Sequence, residues 1–254
     1  MKLSLLTYLL GKDMDLEKLL EVTTANGIPG IEFRAELGHK HGVELEASPA
    51  ERAAIRKRCE DAGIAACSVA NSCRFESLDA AERQAQVDRA KRYVDLAADV
   101  GSPHVRVFGN SFGGNDEATV VANVGACLRQ IGEHAEGTGV VVGLEMHGDF
   151  YRWEPTLEAV KLADHPSIGI VPNCDPRELK HGPITDGIPQ VLPYVHHVHM
   201  HDLESGKYPY KQFFGLLKAA GYEGYLSLEC GASADPERVI ALYAALYREM
   251  VASL

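Results

Sequence analysis

A carboxylate inside an apolar strand pattern is the first feature that points to chemistry. Residues 140–147 read Val-Val-Val-Gly-Leu-Glu-Met-His. In an extended strand successive side chains point to opposite faces, so Val142 and Leu144 share one face while Glu145 and His147 share the other. A buried glutamate is costly unless it is ion-paired or binds a cation. The pattern therefore leaves two interpretations of Glu145 open, a structural ion pair and a functional group.

Polar residues recur at the inward positions of other short apolar runs. The alternation predicts that one interior receives Glu32, Arg34, His104, Arg106, Asn173, Asp175, His197, His199, His201, Ser227 and Glu229. So many buried polar groups require a ligand or a metal ion, and Glu, Asn, Asp and His suit Mn²⁺, Mg²⁺, Co²⁺ or Zn²⁺. A cation held by Glu145 and Glu229 would polarise substrate oxygens while the two carboxylates transfer protons. This is the chemistry of an enediolate.

The elements that position these residues repeat one unit eight times, a β-rich run, a polar loop, a periodic helix and a glycine. Strands are predicted at Leu3–Tyr8, Gly30–Arg34, Ile64–Ala70, His104–Phe108, Val140–His147, Ile168–Val171, Val195–Met200 and Tyr225–Glu229. The repeat predicts an α/β fold, a single (β/α)8 TIM barrel that forms one domain over residues 1–254. Long polar loops follow the strands, which places the site at their C-terminal ends. An open doubly wound sheet is disfavoured because no Gly-x-Gly-x-x-Gly turn follows the first strand.

Several local features are also predicted from the sequence. Ser48 is expected to cap a helix, with Pro49 at its first position and Glu51 completing a capping box. The helix between residues 183 and 193 is expected to be interrupted by Pro189. Leu157, Val160 and Leu162 are expected to mark another, short helix. Glu32 is expected to pair with Arg34 or Arg106, and His196 to face the helices.

The overall composition limits the classes of function. The chain has 25 basic and 36 acidic residues and a net charge of -11, which argues against a nucleic-acid partner. No apolar run approaches the roughly 20 residues that span a bilayer, so no membrane partner is expected. The six cysteines form no Cys-x-x-Cys pair or regular framework, which favours reduced thiols in a cytoplasmic protein.

The chain resembles the xylose isomerase-like TIM barrels, the sugar phosphate isomerase/epimerase superfamily. The resemblance spans nearly the whole chain, through residues 30–34, 105–109, 144–147, 197–202 and 226–229. Known members include tagatose 3-epimerases, hydroxypyruvate isomerases, inosose dehydratases and endonuclease IV. The resemblance implies that Glu145, Asn173, His199 and Glu229 hold one divalent metal ion, with Mn²⁺ expected first. It also implies that the two glutamates are the catalytic, proton-transferring pair.

One motif departs from the family pattern. Where the family usually has Asp-x-x-His after the sixth strand, this chain reads Asn173-Cys174-Asp175-Pro176. An amide oxygen binds a hard cation with less charge than a carboxylate does, and Asp175 lies in phase with Asn173 as an alternative ligand. The metal affinity and the reaction both depend on this motif.

These observations predict a metal-dependent isomerase or epimerase acting on a small sugar, keto sugar or hydroxy-keto acid. A metal-dependent dehydratase of the inosose or dehydroshikimate type is the nearest alternative. A non-catalytic sugar-binding protein is an alternative of another class, and an endonuclease IV-like activity is disfavoured by the acidic charge. Substrate contacts are expected from Arg106, His147, His201, Glu32 and Asp175. The expected partner is a carbohydrate or polyol, with a homo-oligomer left open.

Overall fold

Eight parallel strands alternate with eight helices in a nearly closed barrel, which confirms the predicted (β/α)8 fold. The structure, a computed structural model, describes residues 1–254. The strands are β1 (Lys2–Leu6), β2 (Gly30–Arg34), β3 (Ala65–Arg74), β4 (His104–Phe108), β5 (Val141–Glu145), β6 (Ile168–Val171), β7 (His197–Met200) and β8 (Tyr225–Leu228). The helices are α1 (Leu16–Ala25), α2 (Pro49–Asp61), α3 (Ala80–Val100), α4 (Glu117–Ala135), α5 (Trp153–Ala163), α6 (Ile184–Val191), α7 (Tyr210–Ala219) and α8 (Pro236–Ala252).

The barrel has one weak seam. β1 pairs with both β2 and β8, and parallel pairing continues from β2 to β6 and from β8 to β7. β6 and β7 are joined by an isolated bridge, between Ile170 and Val195, and by a hydrogen bond from the His199 N–H to the carbonyl oxygen of Pro172 at 2.9 Å. The backbone hydrogen bonds that close the barrel are therefore fewest between these two strands.

The helices pack on the barrel through the apolar stripes that their periodicity predicts. In α3, Val87, Ala90, Val94 and Ala97 are all buried, and α2 begins with the predicted capping box at Ser48. The short helix predicted at Leu157, Val160 and Leu162 is α5, in which Leu162 is 43 % exposed. At 100° per residue Leu162 is rotated away from the buried Leu157 and Val160.

Helix α6 contains a proline, Pro189, in its interior. The expected interruption at Pro189 does not occur: α6 runs through Pro189 and ends at Val191, where a 3-10 turn follows. Proline lacks the N–H that would bond one turn back, which accounts for this short helix.

No helix of the structure is both long enough and apolar enough to cross a bilayer.

Gly148, in the loop after β5, packs very closely against the backbone of Asn110. Its φ is 65°, and an added Cβ would lie 2.2 Å from the carbonyl oxygen of Asn110. Gly148→Ala is expected to lower the free energy of unfolding by about 3 kcal/mol, because backbone strain and a backbone clash add. Urea denaturation measures this loss.

Gly63→Ala provides the matched control. Gly63 has nearly the same φ, 67°, but nothing lies within 4 Å of its added Cβ. Only the backbone strain remains there, so the expected loss is about 1 kcal/mol. Equal losses at the two glycines would contradict a packing role for the close approach at Gly148.

Candidate metal and active site

Glu145, His199 and Glu229 meet at the C-terminal end of the barrel. Glu145 is the last residue of β5, His199 lies in β7, and Glu229 directly follows β8. His199 Nδ1 lies 3.3 Å from Glu145 Oε1 and 3.3 Å from Glu229 Oε2. These three residues provide donor atoms close enough to hold one metal ion. The structure thus brings together three of the four metal ligands that the resemblance implies.

Asn173, the fourth implied ligand, follows β6 by two residues and is only 3 % exposed. Its side-chain oxygen is buried and has no hydrogen-bond partner, and the same is true of Glu145 Oε2, His199 Nδ1 and Glu229 Oε2. Buried polar atoms are nearly always hydrogen-bonded, so four such atoms without a hydrogen bond, of which only Glu145 Oε2 has an arginine beside it, need an explanation. Two carboxylates, an amide oxygen and an imidazole nitrogen are a suitable donor set for a divalent cation. The residues present therefore fit a metal ion.

Arg106 forms an ion pair with one of these carboxylates. Its Nε lies 3.0 Å from Glu145 Oε2, at an angle too poor for a hydrogen bond, and both side chains are almost fully buried. Nη1 donates to the carbonyl oxygen of Asn71 at 2.7 Å, and the guanidinium lies 4.0 Å from the centre of the Phe108 ring. Nη2 donates to no protein group, so Arg106 keeps one edge available for a ligand.

A buried network beneath the cluster fixes the orientation of His199. Its Nε2 donates to Glu32 at 3.0 Å, which turns Nδ1 toward Glu145 and Glu229. Glu32 also binds His197 Nε2 at 2.7 Å and accepts a hydrogen bond from Ser68 at 3.0 Å. A carboxylate behind a ligating histidine is a recurrent support of metal sites.

The partners of Glu32 differ from those that we predicted. Glu32 pairs with two histidines and not with Arg34 or Arg106, because both arginines are engaged with other groups. Arg34 donates to the carbonyl of Ala35 and to Ser72, and Arg106 contacts Glu145. Glu32 is also fully buried below the cluster, so its place in the structure is that of a support for His199.

The electrostatics of the cluster favour a positive charge at its centre. Burial alone would raise the pKa of Glu145, but Arg106 and His199 outweigh burial and lower it to about 2. Burial likewise opposes the charged form of His199, yet Glu32 and Glu145 raise the pKa of His199 well above its ordinary value. Glu145 is therefore ionised at neutral pH, and its negative charge attracts a cation to the space that His199 Nδ1 faces.

The remaining predicted site residues lie around this centre. His147 is half-buried against Phe108, with ring centroids 4.8 Å apart, and its buried Nδ1 has no hydrogen-bond partner. His201 is half-buried, and its backbone N–H donates to the hydroxyl of Tyr210. Asp175 accepts hydrogen bonds from the backbone and side chain of Arg177 and caps a 3-10 turn. Asp175 is thus engaged outside the cluster, and Asn173 is the residue of this motif whose oxygen is free.

One residue that sequence reasoning placed inward but did not assign to the site is Arg34. Its side chain is 8 % exposed, and its pKa is lowered by burial and by the nearby charge of Arg106. Arg34 Nη1 also lies 3.5 Å from Glu36 Oε2, so this guanidinium is ion-paired within the protein. The alternation that identified Glu32 also contained Arg34, so the signal for a second cationic side chain was present in the sequence.

Glu178, in the loop after β6, makes stability depend on pH. It accepts hydrogen bonds from the backbone of Asp175 and the hydroxyl of Tyr208, both at 3.1 Å. Burial outweighs these bonds and raises the pKa of Glu178 to about 8. The folded state therefore keeps a proton that the unfolded state releases near its ordinary pKa of about 4.3.

We expect the free energy of unfolding to fall as pH rises from about 4.5 to about 8, by at most about 1.4 kcal/mol per pH unit. The side chain of the Glu178→Gln variant cannot ionise. Its free energy of unfolding should therefore rise relative to that of the parent protein as pH increases over this range. Urea denaturation across this pH range measures the difference. The exposed Glu154→Gln is the control, and a constant difference for Glu178→Gln would refute the assignment.

Comparison with known proteins gives one family. The family described as "Xylose isomerase-like TIM barrel" matches residues 20–250. A 3-dehydroshikimate dehydratase of Pseudomonas putida is 31 % identical over 164 residues, which cover 61 % of this chain and 24 % of that protein. The same enzyme of Pseudomonas aeruginosa is 27 % identical, covering 89 % of this chain and 38 % of that protein. The chain therefore spans well under half the length of these curated relatives.

Solved structures show the same fold at low sequence identity. A 3-keto-D-glucoside 4-epimerase from E. coli has a TM-score of 0.81 at 16 % identity, covering 98 % of this chain and 99 % of that one. A structure described as IOLI protein with a binding zinc atom has a TM-score of 0.82 at 15 % identity, covering 100 % and 99 %.

Proposed function

The chain belongs to the xylose isomerase-like TIM barrel family, and on this premise we propose that it is a metal-dependent enzyme that removes a proton from the carbon beside a carbonyl group. The observation that carries the proposal is the convergence of donor atoms from Glu145, His199 and Glu229, together with buried atoms on Asn173, His199 and Glu229 that have no hydrogen-bond partner. Its substrate would be a small hydroxylated ketone.

These four residues would hold one divalent cation, with Mn²⁺ as our first choice. The zinc reported for a protein of the same fold supports a divalent ion without selecting among metals. When bound, the cation would polarise the carbonyl and hydroxyl oxygens of the substrate. The protein's own groups would then carry the proton.

Glu229 is the carboxylate best placed to act as base. It is paired with no arginine, and its side chain is 18 % exposed, against 2 % for Glu145. In dehydration, Glu229 would take the proton from carbon and return it to the hydroxyl group that leaves the neighbouring carbon. A C–H and a C–O bond break, a C=C bond forms, and the proton departs in water.

We place dehydration of a hydroxy-keto acid first, as the function that the site supports best. The Arg106–Glu145 ion pair makes Glu145 a poor proton donor, whereas one carboxylate is enough for elimination. Arg106, whose Nη2 has no protein acceptor, would bind a substrate carboxylate, which guanidinium groups bind well, and Arg34 would be the second cationic side chain. The two curated relatives are 3-dehydroshikimate dehydratases, although they are much longer proteins.

Epimerisation or isomerisation of a keto sugar is the second candidate. Glu145 and Glu229 approach His199 from β5 and β8, and two carboxylates from different strands can serve two faces of one carbon. In this case Glu229 would remove the proton and Glu145 would deliver another. The E. coli epimerase of the same fold supports keeping this candidate.

Proton NMR in D₂O tests the proposal. The Mn²⁺-loaded protein is incubated with 3-dehydroshikimate and with a panel of keto sugars, and Glu229→Gln serves as the control. Deuterium at the carbon beside the carbonyl reports proton removal, and loss of water or inversion identifies the outcome. No exchange and no product with Mn²⁺, Co²⁺, Mg²⁺ or Zn²⁺ would refute the proposed function.

Arg34→Met tests whether a guanidinium recognises a carboxylate. A hydrogen-bonded charge pair contributes about 1.5–3 kcal/mol, so KM for an acidic substrate should rise about 10- to 100-fold with a smaller change in kcat. Steady-state kinetics measure both constants, and the exposed Arg74→Met is the control. An unchanged KM would place the carboxylate elsewhere.

A further inference from the structure

Three histidines gather at the end of the barrel opposite the catalytic cluster. His104 is the first residue of β4 and alternates inward with Arg106, while His196 and His197 lie at the start of β7. The ring centroid of His104 lies 6.0 Å from that of His196 and 6.0 Å from that of His197. No step of the proposed reaction uses His104 or His196.

The ring of His196 lies beside that of His104 because the backbone bends at residue 196. The residue lies between the bridge at Val195 and the start of β7, and this bend breaks the alternation that predicted a ring facing the helices. The ring instead covers Gly169, whose added Cβ would lie only 2.5 Å from it. That prediction for His196 is therefore wrong, and the glycine on β6 makes room for the imidazole.

Two of the three rings have a nitrogen that lacks any partner. His104 Nδ1 and His197 Nδ1 are both buried without a hydrogen bond. Glu32 and Ser227 bind His197 through Nε2, at 2.7 Å and 2.9 Å, and so hold Nδ1 on the opposite side of the ring. This is the arrangement in which a carboxylate orients a histidine toward a metal ion.

The protonation states of His104 and His196 also suit metal binding. Burial, with His197 and His196 nearby, lowers the pKa of His104 to about 3, and burial lowers the pKa of His196 as well. Both imidazoles are therefore neutral at pH 7, and a neutral imidazole has the lone pair that a metal needs.

We propose that His104, His196 and His197 form a second cation site, for a borderline ion such as Zn²⁺, Ni²⁺ or Cu²⁺. An all-imidazole set favours these ions over Mg²⁺ and Mn²⁺. The three nitrogens do not yet converge on one point, so His104 and His196 must turn about their side-chain bonds. Neither ring makes a hydrogen bond that opposes this rotation.

Such an ion would reinforce the weakest part of the barrel. It would join β4 to the start of β7, beside the seam where β6 and β7 share a single bridge. Because the ion binds only the folded protein, it would raise the melting temperature as its concentration rises. Through His197 the site shares Glu32 with the network that supports His199, but its three ligands take no part in the proposed function, on which the inference does not depend.

The test removes the catalytic site first. In the full-length Glu145→Gln/Glu229→Gln double variant, Cu²⁺ titration followed by electron paramagnetic resonance is expected to show about one tightly bound ion, with nitrogen couplings from several imidazoles. Adding His104→Ala should abolish this signal. In the parent protein His104→Gln should lower Zn²⁺ stoichiometry from about two to about one while activity is unchanged.

His134→Gln, at a surface histidine paired with Asp95, is the matched control and should change nothing. Circular dichroism confirms that each variant folds. The proposal is overturned if the double variant binds no Cu²⁺, if its signal shows a single nitrogen ligand, or if His104→Ala leaves it intact. Any of these results would leave the proposed catalytic function unaffected, because that function concerns the opposite end of the barrel.

Discussion

Glu229→Gln is expected to lower kcat/KM by at least about 1,000-fold on whichever substrate the protein turns over. The amide cannot accept the proton from carbon, and it also removes one negative charge from the metal ligands. Glu229 Oε2 is buried without a partner, 3.3 Å from His199 Nδ1, so the substituted group lies at the centre of the cluster. Most of the loss should appear in kcat.

Two measurements separate the role of base from that of ligand. Metal content by elemental analysis shows whether the variant still binds its ion, and solvent deuterium exchange shows whether the proton is still removed. Glu223→Gln is the control, because Glu223 is exposed and lies just before β8. Retained exchange in metal-loaded Glu229→Gln would move the base elsewhere, with Glu145 as the next residue to test.

The sequence predicted the fold and the centre of the site because both depend on period-two alternation. Val142 and Leu144 are fully buried in the core, while Glu145 faces His199, as the pattern indicates. The same alternation brought His199 and Glu229 to one interior without any knowledge of distances. The resemblance added Asn173, whose unpartnered oxygen fits its expected place among the ligands.

The alternation pattern does not predict which inward side chains pair or where the backbone bends, because both depend on strand tilt and local backbone geometry. The sequence shows that Glu32 points inward, but the tilt of the strands decides that it meets His197 and His199. The bend at His196 interrupts the alternation, so counting residues gives the wrong face. Asp175 shares its phase with Asn173, yet Cys174 between them takes a left-handed φ of 49°, and Asp175 turns to Arg177.

Glu32→Leu is expected to have the second large effect, on stability and on metal binding together. The substitution leaves the Nε2 atoms of His197 and His199 in the barrel interior without their shared acceptor. Breaking a buried ion pair on one side costs about 3 kcal/mol or more. Metal affinity should also fall about 10- to 100-fold, because His199 loses the carboxylate that orients it.

The pH at which stability is measured decides the size of this effect. Burial opposes ionisation of Glu32, but His199 and His197 outweigh it and hold the pKa of Glu32 well below its ordinary value, while the pKa of His199 is raised. The stability contributed by Glu32 is present above its unfolded pKa of about 4.3 and is lost as pH falls through the folded value. That contributed by His199 is complete below its unfolded pKa of about 6.5 and is lost as pH rises through the folded value.

The difference in free energy of unfolding between the parent protein and Glu32→Leu should therefore be largest between about pH 4.3 and 6.5. Urea denaturation with a chelator present measures it. Glu32→Gln is the matched control: its amide oxygen can accept from one histidine, so it should lose less stability than Glu32→Leu while still binding metal more weakly than the parent. If Glu32→Leu were as stable as the parent protein across this range, the buried carboxylate would contribute nothing to the fold, and its hydrogen bond with His199 would have to be explained by catalysis alone.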